Sequence, residues 1–119
     1  MTAVLHDSPG AIVTYDADHH IQEWNPGAER IFGYTSEEVL GKDLDDVVTR
    51  PDVREQAILF SKQVLSRKNI TPTEVVRYRK DGTPVSVILA SSPIIIGHKI
   101  VGATTVYTDI TGRKQTEKA

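Results

Sequence analysis

At 119 residues the chain is long enough for one domain with one modest core. Its 16 acidic and 14 basic residues nearly balance, and a net charge of -2 gives no reason to expect a nucleic-acid partner. It has no cysteine, which excludes disulfides, thiolate metal sites and a thiol nucleophile.

The first seven residues, Met1 to Asp7, are too short and too polar for a signal peptide, and no apolar run approaches the length of a membrane span. The expectation is a cytoplasmic domain, free or as the cytosolic part of a membrane receptor, with no direct membrane insertion. Residues 11–15 are apolar apart from one Thr, Asp16-Ala17-Asp18 marks a turn, and residues 20–24 alternate, so residues 11–24 read as a β-hairpin. In "NPGAERIFGY", Asn25 suits a helix N-cap, Pro26 the first helical position and Gly33 the stop. Thr35 and Glu38 have capping-box spacing and open a second short helix that Gly41 ends. Residues 43–48 fit a third turn. The longest helix is predicted from Asp52 to about Arg67, with Val53, Ala57, Phe60 and Val64 on one face.

The period then changes. Residues 73–79, 85–92 and 99–108 read as strands, with hairpin turns at Lys80-Asp81-Gly82-Thr83 and Gly97-His98. Two strands before the helices and three after predict an α+β fold: one five-stranded antiparallel sheet with the helices on one face.

Little of the sequence points to catalysis. The four histidines lack HxH or HExxH spacing and read as surface residues, not metal ligands. Asp43, Asp45 and Asp46 cluster where a helix starts, where acids complement the helix dipole. No GxSxG or phosphate-cradling glycine loop occurs, and no acid or base is evident at the inward strand positions, so no enzyme is expected. Arg77 is ambiguous from its strand alone. If Val75 faces inward, so does Arg77, which then needs an anion or a carboxylate; if Val76 and Tyr78 mark the inner face, Arg77 is solvated.

The segments "SPGAIVTYD", "IQEWNPGAERIFGYTSEEVLGK", "RKDGTPVSV" and "DITGRK" together resemble a PAS domain, the sensory module of bacterial and archaeal signalling proteins, from Ser8 to Lys114. The resemblance implies a sheet order of 2-1-5-4-3, with the helices closing over one face around a ligand pocket. It divides the chain into a flank at 1–7, a PAS domain at 8–111 and the start of a signalling helix or linker at 112–119. That stub implies an excised or truncated sensor joined to a C-terminal effector domain such as a histidine kinase or a nucleotide cyclase. Asp109, Ile110 and Thr111 match the triplet that leads from the last strand into that helix, where an Asp can accept backbone hydrogen bonds and a Thr can cap.

The resemblance also bears on cofactors. The photoactive LOV subgroup needs a cysteine in a GxNCRFLQ segment, and "GKDLDDVV" has Leu44 there; the haem subgroup needs a histidine on the long helix, which has none. No cofactor is expected, and noncovalent FAD is the one that stays open. Flavin-contact positions of the family map onto Val13, Tyr15, Arg77, Val87, Leu89 and Tyr107, with Val101, Ala103 and Thr105 at the inward parity of Tyr107, which tips Arg77 inward and suggests a small anionic ligand. Polar amides that would read a flavin ring are replaced by Arg77, Val87 and Tyr107. Ile88, Ala90 and Val106 fall on the outer face, less polar than a solvated sheet normally is, and imply a homodimer interface.

Overall fold

The computed structural model describes residues 10–110. The flank at 1–7, Ser8, Thr111 and the segment 112–119 lie outside the described residues. Strands β1 (Gly10–Asp16), β2 (Ile21–Trp24), β3 (Ile70–Tyr78), β4 (Pro84–Ile96) and β5 (Lys99–Asp109) form one antiparallel sheet in the order β2-β1-β5-β4-β3. Between β2 and β3 run four helices: α1 (Pro26–Phe32), α2 (Ser36–Val39), α3 (Leu44–Val48) and α4 (Pro51–Leu65).

Strand alternation sends one set of side chains toward the helices. Val13, Tyr15, Val75, Arg77, Val87, Leu89, Thr105 and Tyr107 are all buried on that face. The opposite face keeps Ile12 at 44% and Val106 at 37% exposure, and Ile88 and Ala90 are half-buried. Val101 departs from the predicted inward alternation. An extra residue on β5 breaks the register between Ile94 and Ile95, and β1 pairing ends at Asp16–Gly102. Val101 therefore sits on the projecting end of the β4–β5 hairpin and is 36% exposed.

Helix α1 is fixed to the sheet at its start. Asn25 Oδ1 accepts from the amides of Ala28 and Ile12, both at 2.9 Å, so one side chain caps the helix and holds it to β1. Gly27 lies so close to β1 that a Cβ there would collide with the Gly10 carbonyl oxygen. Gly33, at φ 81°, takes the left-handed conformation that stops the helix. The Thr35–Glu38 capping box is formed at the start of α2. Helix α4 differs from its predicted bounds. It starts at Pro51, and Arg50 in the cap position gives the helix no side-chain cap; its guanidinium donates instead to Thr49 O and Arg79 O. Of its fifteen residues only Ala57, Ser61 and Val64 are buried; Val53 and Phe60, predicted on the same face, are half-exposed.

Candidate functional site

The sheet, α3 and α4 enclose a cavity of about 10 Å³. Its polar wall comprises Tyr15, Asp45, Ser61, Arg77, Thr105 and Tyr107; Leu44, Phe60 and Leu89 are among its apolar neighbours. That volume is at the lower limit for one water molecule.

Arg77 dominates the wall. It is 1% exposed, and its Nη1 donates to Gln56 Oε1 at 2.9 Å and to its neighbour's carbonyl, Val76 O, at 2.7 Å. Among the described residues no carboxylate forms an ion pair with it. Burial pulls its pKa down, because desolvation disfavours the charged form, while Tyr107 and Asp45 act the other way. The Tyr107 ring packs edge-to-face on Phe32 at 5.1 Å, and burial pushes its phenol up. Burial also raises the pKa of Tyr15. Thr105 and Ser91 share a 2.6 Å hydroxyl–hydroxyl hydrogen bond across β4 and β5.

Asp45 corrects the sequence reading, which left no acid in the cavity. Asp43 is the N-cap of α3, its Oδ1 accepting from the amides of Asp45 and Asp46, and Asp46 pairs outward with Arg54. Asp45 turns the other way and is 4% exposed. Ser61 Oγ lies 3.2 Å from both of its carboxylate oxygens. His19, read from sequence as a surface residue, is half-buried, with Nδ1 3.5 Å from Asp45 Oδ2 and its ring edge-on to Tyr15. Burial holds the Asp45 carboxyl above the ordinary carboxylate range, Asp43 adds to this, and His19, Ser61 and Arg77 oppose it. Neither Asp45 nor His19 follows from strand parity, since one lies on a five-residue helix and the other at a turn residue with φ 70°.

Among the described residues, two groups bring three potential metal donors within 4.8 Å of one another: Asp16, Asp18 and His20, and His19, Asp43 and Asp45. Asp16 Oδ1 already accepts from the amides of Asp18 and His20, and Asp43 Oδ1 caps α3. Both arrangements are accounted for as turn and cap geometry.

Beyond the cavity, Arg79 follows the end of β3 two residues on from Arg77, and Asp109 ends β5 two residues on from Tyr107. Arg79 Nη2 lies 3.8 Å from Asp109 Oδ2, and its Nε donates to Ile31 O at the end of α1. Ile110 is buried and its amide donates to Ser86 O at 3.1 Å.

A family model described as PAS domain matches residues 9–112. Two-component system protein A of Emericella nidulans is 32% identical over 107 residues, which are 90% of this chain and 16% of that protein. The chain thus spans less than a fifth of that relative's length. Among solved structures, the PAS domain of a protein from Colwellia psychrerythraea superposes with a TM-score of 0.80 at 25% identity, over 94% of this chain and 95% of that one. An RNA-binding light-oxygen-voltage receptor shares the fold with a TM-score of 0.75 at 23% identity, over 98% of this chain and 34% of that one. The sheet order, the helical layer and the family match agree, and the chain belongs to the PAS domain family.

Proposed function

We propose that this chain is the sensory and dimerisation module of a signal-transduction protein, that it acts without catalysis, and that it takes up a small carboxylate-bearing molecule beside Arg77. The carrying observation is the guanidinium itself: 1% exposed, with only neutral partners and no ion pair among the described residues. A desolvated cation of this kind gains strongly from a bidentate carboxylate. Admission requires α4 to lift, and that helix buries only three of its fifteen residues. The name of the Emericella relative supports the signalling context, and its greater length supports a fused effector domain, which this reading places C-terminal.

Amide chemical shifts of the isotope-labelled protein, titrated with propionate, test the reading. Residues around the cavity should shift, and Arg77→Ala should weaken binding by about 2–5 kcal/mol, the scale for truncating one partner of a buried charge pair. Absence of Arg77-dependent shifts at high propionate would favour a second reading, a protein-interaction module with a filled core. The water-sized cavity favours that second reading. The same volume and the wall of Arg77, Val87 and Tyr107 argue against FAD, and no cofactor is part of the proposal.

The relay in this reading runs along β5 to Asp109, Ile110 and the Thr111 junction, with Arg79 tying Asp109 to α1. A ligand with different affinity for two arrangements of this end shifts their populations. The homodimer would use the outer face around Ile12, Ile88, Ala90 and Val106; sedimentation at varied concentration should lose the dimer in Ile88→Lys. No helix among the described residues is long and apolar enough to cross a membrane. A cytoplasmic place, free or within a receptor, belongs to the proposal.

A further inference from the structure

The cavity has two charged groups in its wall, not one. Arg77 reaches it from β3 and Asp45 from α3, both nearly fully buried, and they are not within ion-pair distance of each other. Two opposite charges that line one space without touching can both be met by one ligand once that space opens.

We propose that the cavity, once α4 lifts, selects a small zwitterion of the amino-acid type, its carboxylate on Arg77 and its ammonium on Asp45. The inference rests on the reading of Arg77 as a carboxylate site and adds the second half of the ligand.

Electroneutrality separates this from a simple anion. A bare carboxylate compensates Arg77 and leaves the Asp45 charge desolvated and repulsive toward it. A bare ammonium leaves Arg77 in the same position. A zwitterion compensates both and brings no net charge into a low-dielectric space. The surroundings of Asp45 favour a cation over a neutral donor. Asp43 adds negative charge beside it, and among the described residues the only basic group within ion-pair distance is His19, at 3.5 Å. Ser61 Oγ, 3.2 Å from both carboxylate oxygens, holds the Asp45 carboxylate in place. With α4 lifted, Leu44, Phe60 and Leu89 still line the apolar side of the space, which favours a ligand with a short side chain.

The test compares probes of matched size on the full chain by the same amide-shift titration: L-alanine, propionate, ethylamine and L-lactate. L-alanine should bind at least tenfold tighter than propionate, ethylamine or L-lactate. Asp45→Asn, which is isosteric, should bring L-alanine down to the propionate level and leave propionate bound as well as before or better. Arg77→Gln should remove both. If propionate binds as tightly as L-alanine and depends on Arg77, the zwitterion inference is overturned while the carboxylate reading stands. Equal binding of L-lactate and L-alanine overturns the ammonium half in favour of a neutral donor. If no probe shows Arg77-dependent binding, both readings fall. The ratio of L-alanine to propionate affinity in the unmodified protein decides the matter even where a variant does not fold.

Discussion

The two ends of the helical layer are built on opposite terms. At the α1 end, Trp24, Phe32 and Tyr107 stack in edge and tilted contacts, Asn25 ties the helix start to β1, and Gly27 lets the backbones touch. At the α4 end the helix lacks a side-chain cap, buries three residues and lies over a polar cavity with a buried Arg and a buried Asp. The first end is closed by shape and the second by charges that burial disfavours. A fold that keeps one rigid wall and one strained, polar wall concentrates its capacity for change at the second.

Matched truncations break or sharpen this contrast most directly. Phe32 is fully buried and Phe60 is half-exposed at the cavity. Phe32→Ala should cost about 3–5 kcal/mol, the range for emptying a packed aromatic site. Phe60→Ala should cost no more than about 1–2 kcal/mol, because much of its ring already meets solvent and α4 can settle onto the gap. Denaturant unfolding of both variants measures the difference. Equal losses would mean that α4 is as firmly packed as α1, and the picture of a yielding wall would fail.

The electrostatic half of the contrast is visible in pH dependence. The folded-state pKa of Asp45 is raised, so its contribution favours the fold below the ordinary carboxylate range and is lost as pH rises through the folded value. As the pH rises, the wild type meets the cost of ionising a desolvated carboxyl, a cost that Asp45→Asn removes. The variant should be more stable at pH 7, by about 1 kcal/mol on the usual scale of single substitutions. The gap should close as the pH falls to about 2, below the ordinary carboxylate value, where the carboxyl is protonated in both states. Thermal melts at the two pH values check this, and a variant destabilised equally at both would show that Asp45 acts through hydrogen bonding alone.

This contrast was only half legible in the sequence. The α1 end announces itself in local chemistry: Asn25-Pro26, Gly33 and the Thr35–Glu38 box each have one structural use, and the structure contains all of them. The strand faces were legible once the family alignment chose between the two parities for Arg77, since period two then fixes every neighbour. Asp45 was not legible, because a five-residue helix between two loops has no periodic signal to say which of three nearby acids turns inward. Val101 escapes the pattern for a related reason: a bulge adds one residue, and parity carried across it gives the wrong face. Helix α4 starts at Pro51, one residue before the predicted Asp52, because Pro51 suits the first helical position even though Arg50 provides no side-chain cap.

The smallest expected effect on stability lies where the two ends meet. Arg79 bonds to Ile31 O at the end of α1 and pairs with Asp109, two residues beyond Tyr107 of the cavity wall. Both partners of the ion pair are about one-third exposed, at 32% and 30%, so solvent screening leaves it worth at most about 1 kcal/mol. Arg79→Met should therefore shift the unfolding midpoint little. Its effect should be local: the Ile110 amide, bonded to Ser86 O, should exchange faster with solvent once Asp109 is released from α1. Native-state hydrogen exchange of Ile110 in the two proteins reads this directly, and unchanged protection would remove Arg79 from the relay. In a full-length receptor, Asp109→Ala should alter the response to signal even though the isolated domain stays folded. If the response is unaffected, the strand end is only a tether, and any change at the α4 wall must reach the effector by the outer sheet face instead.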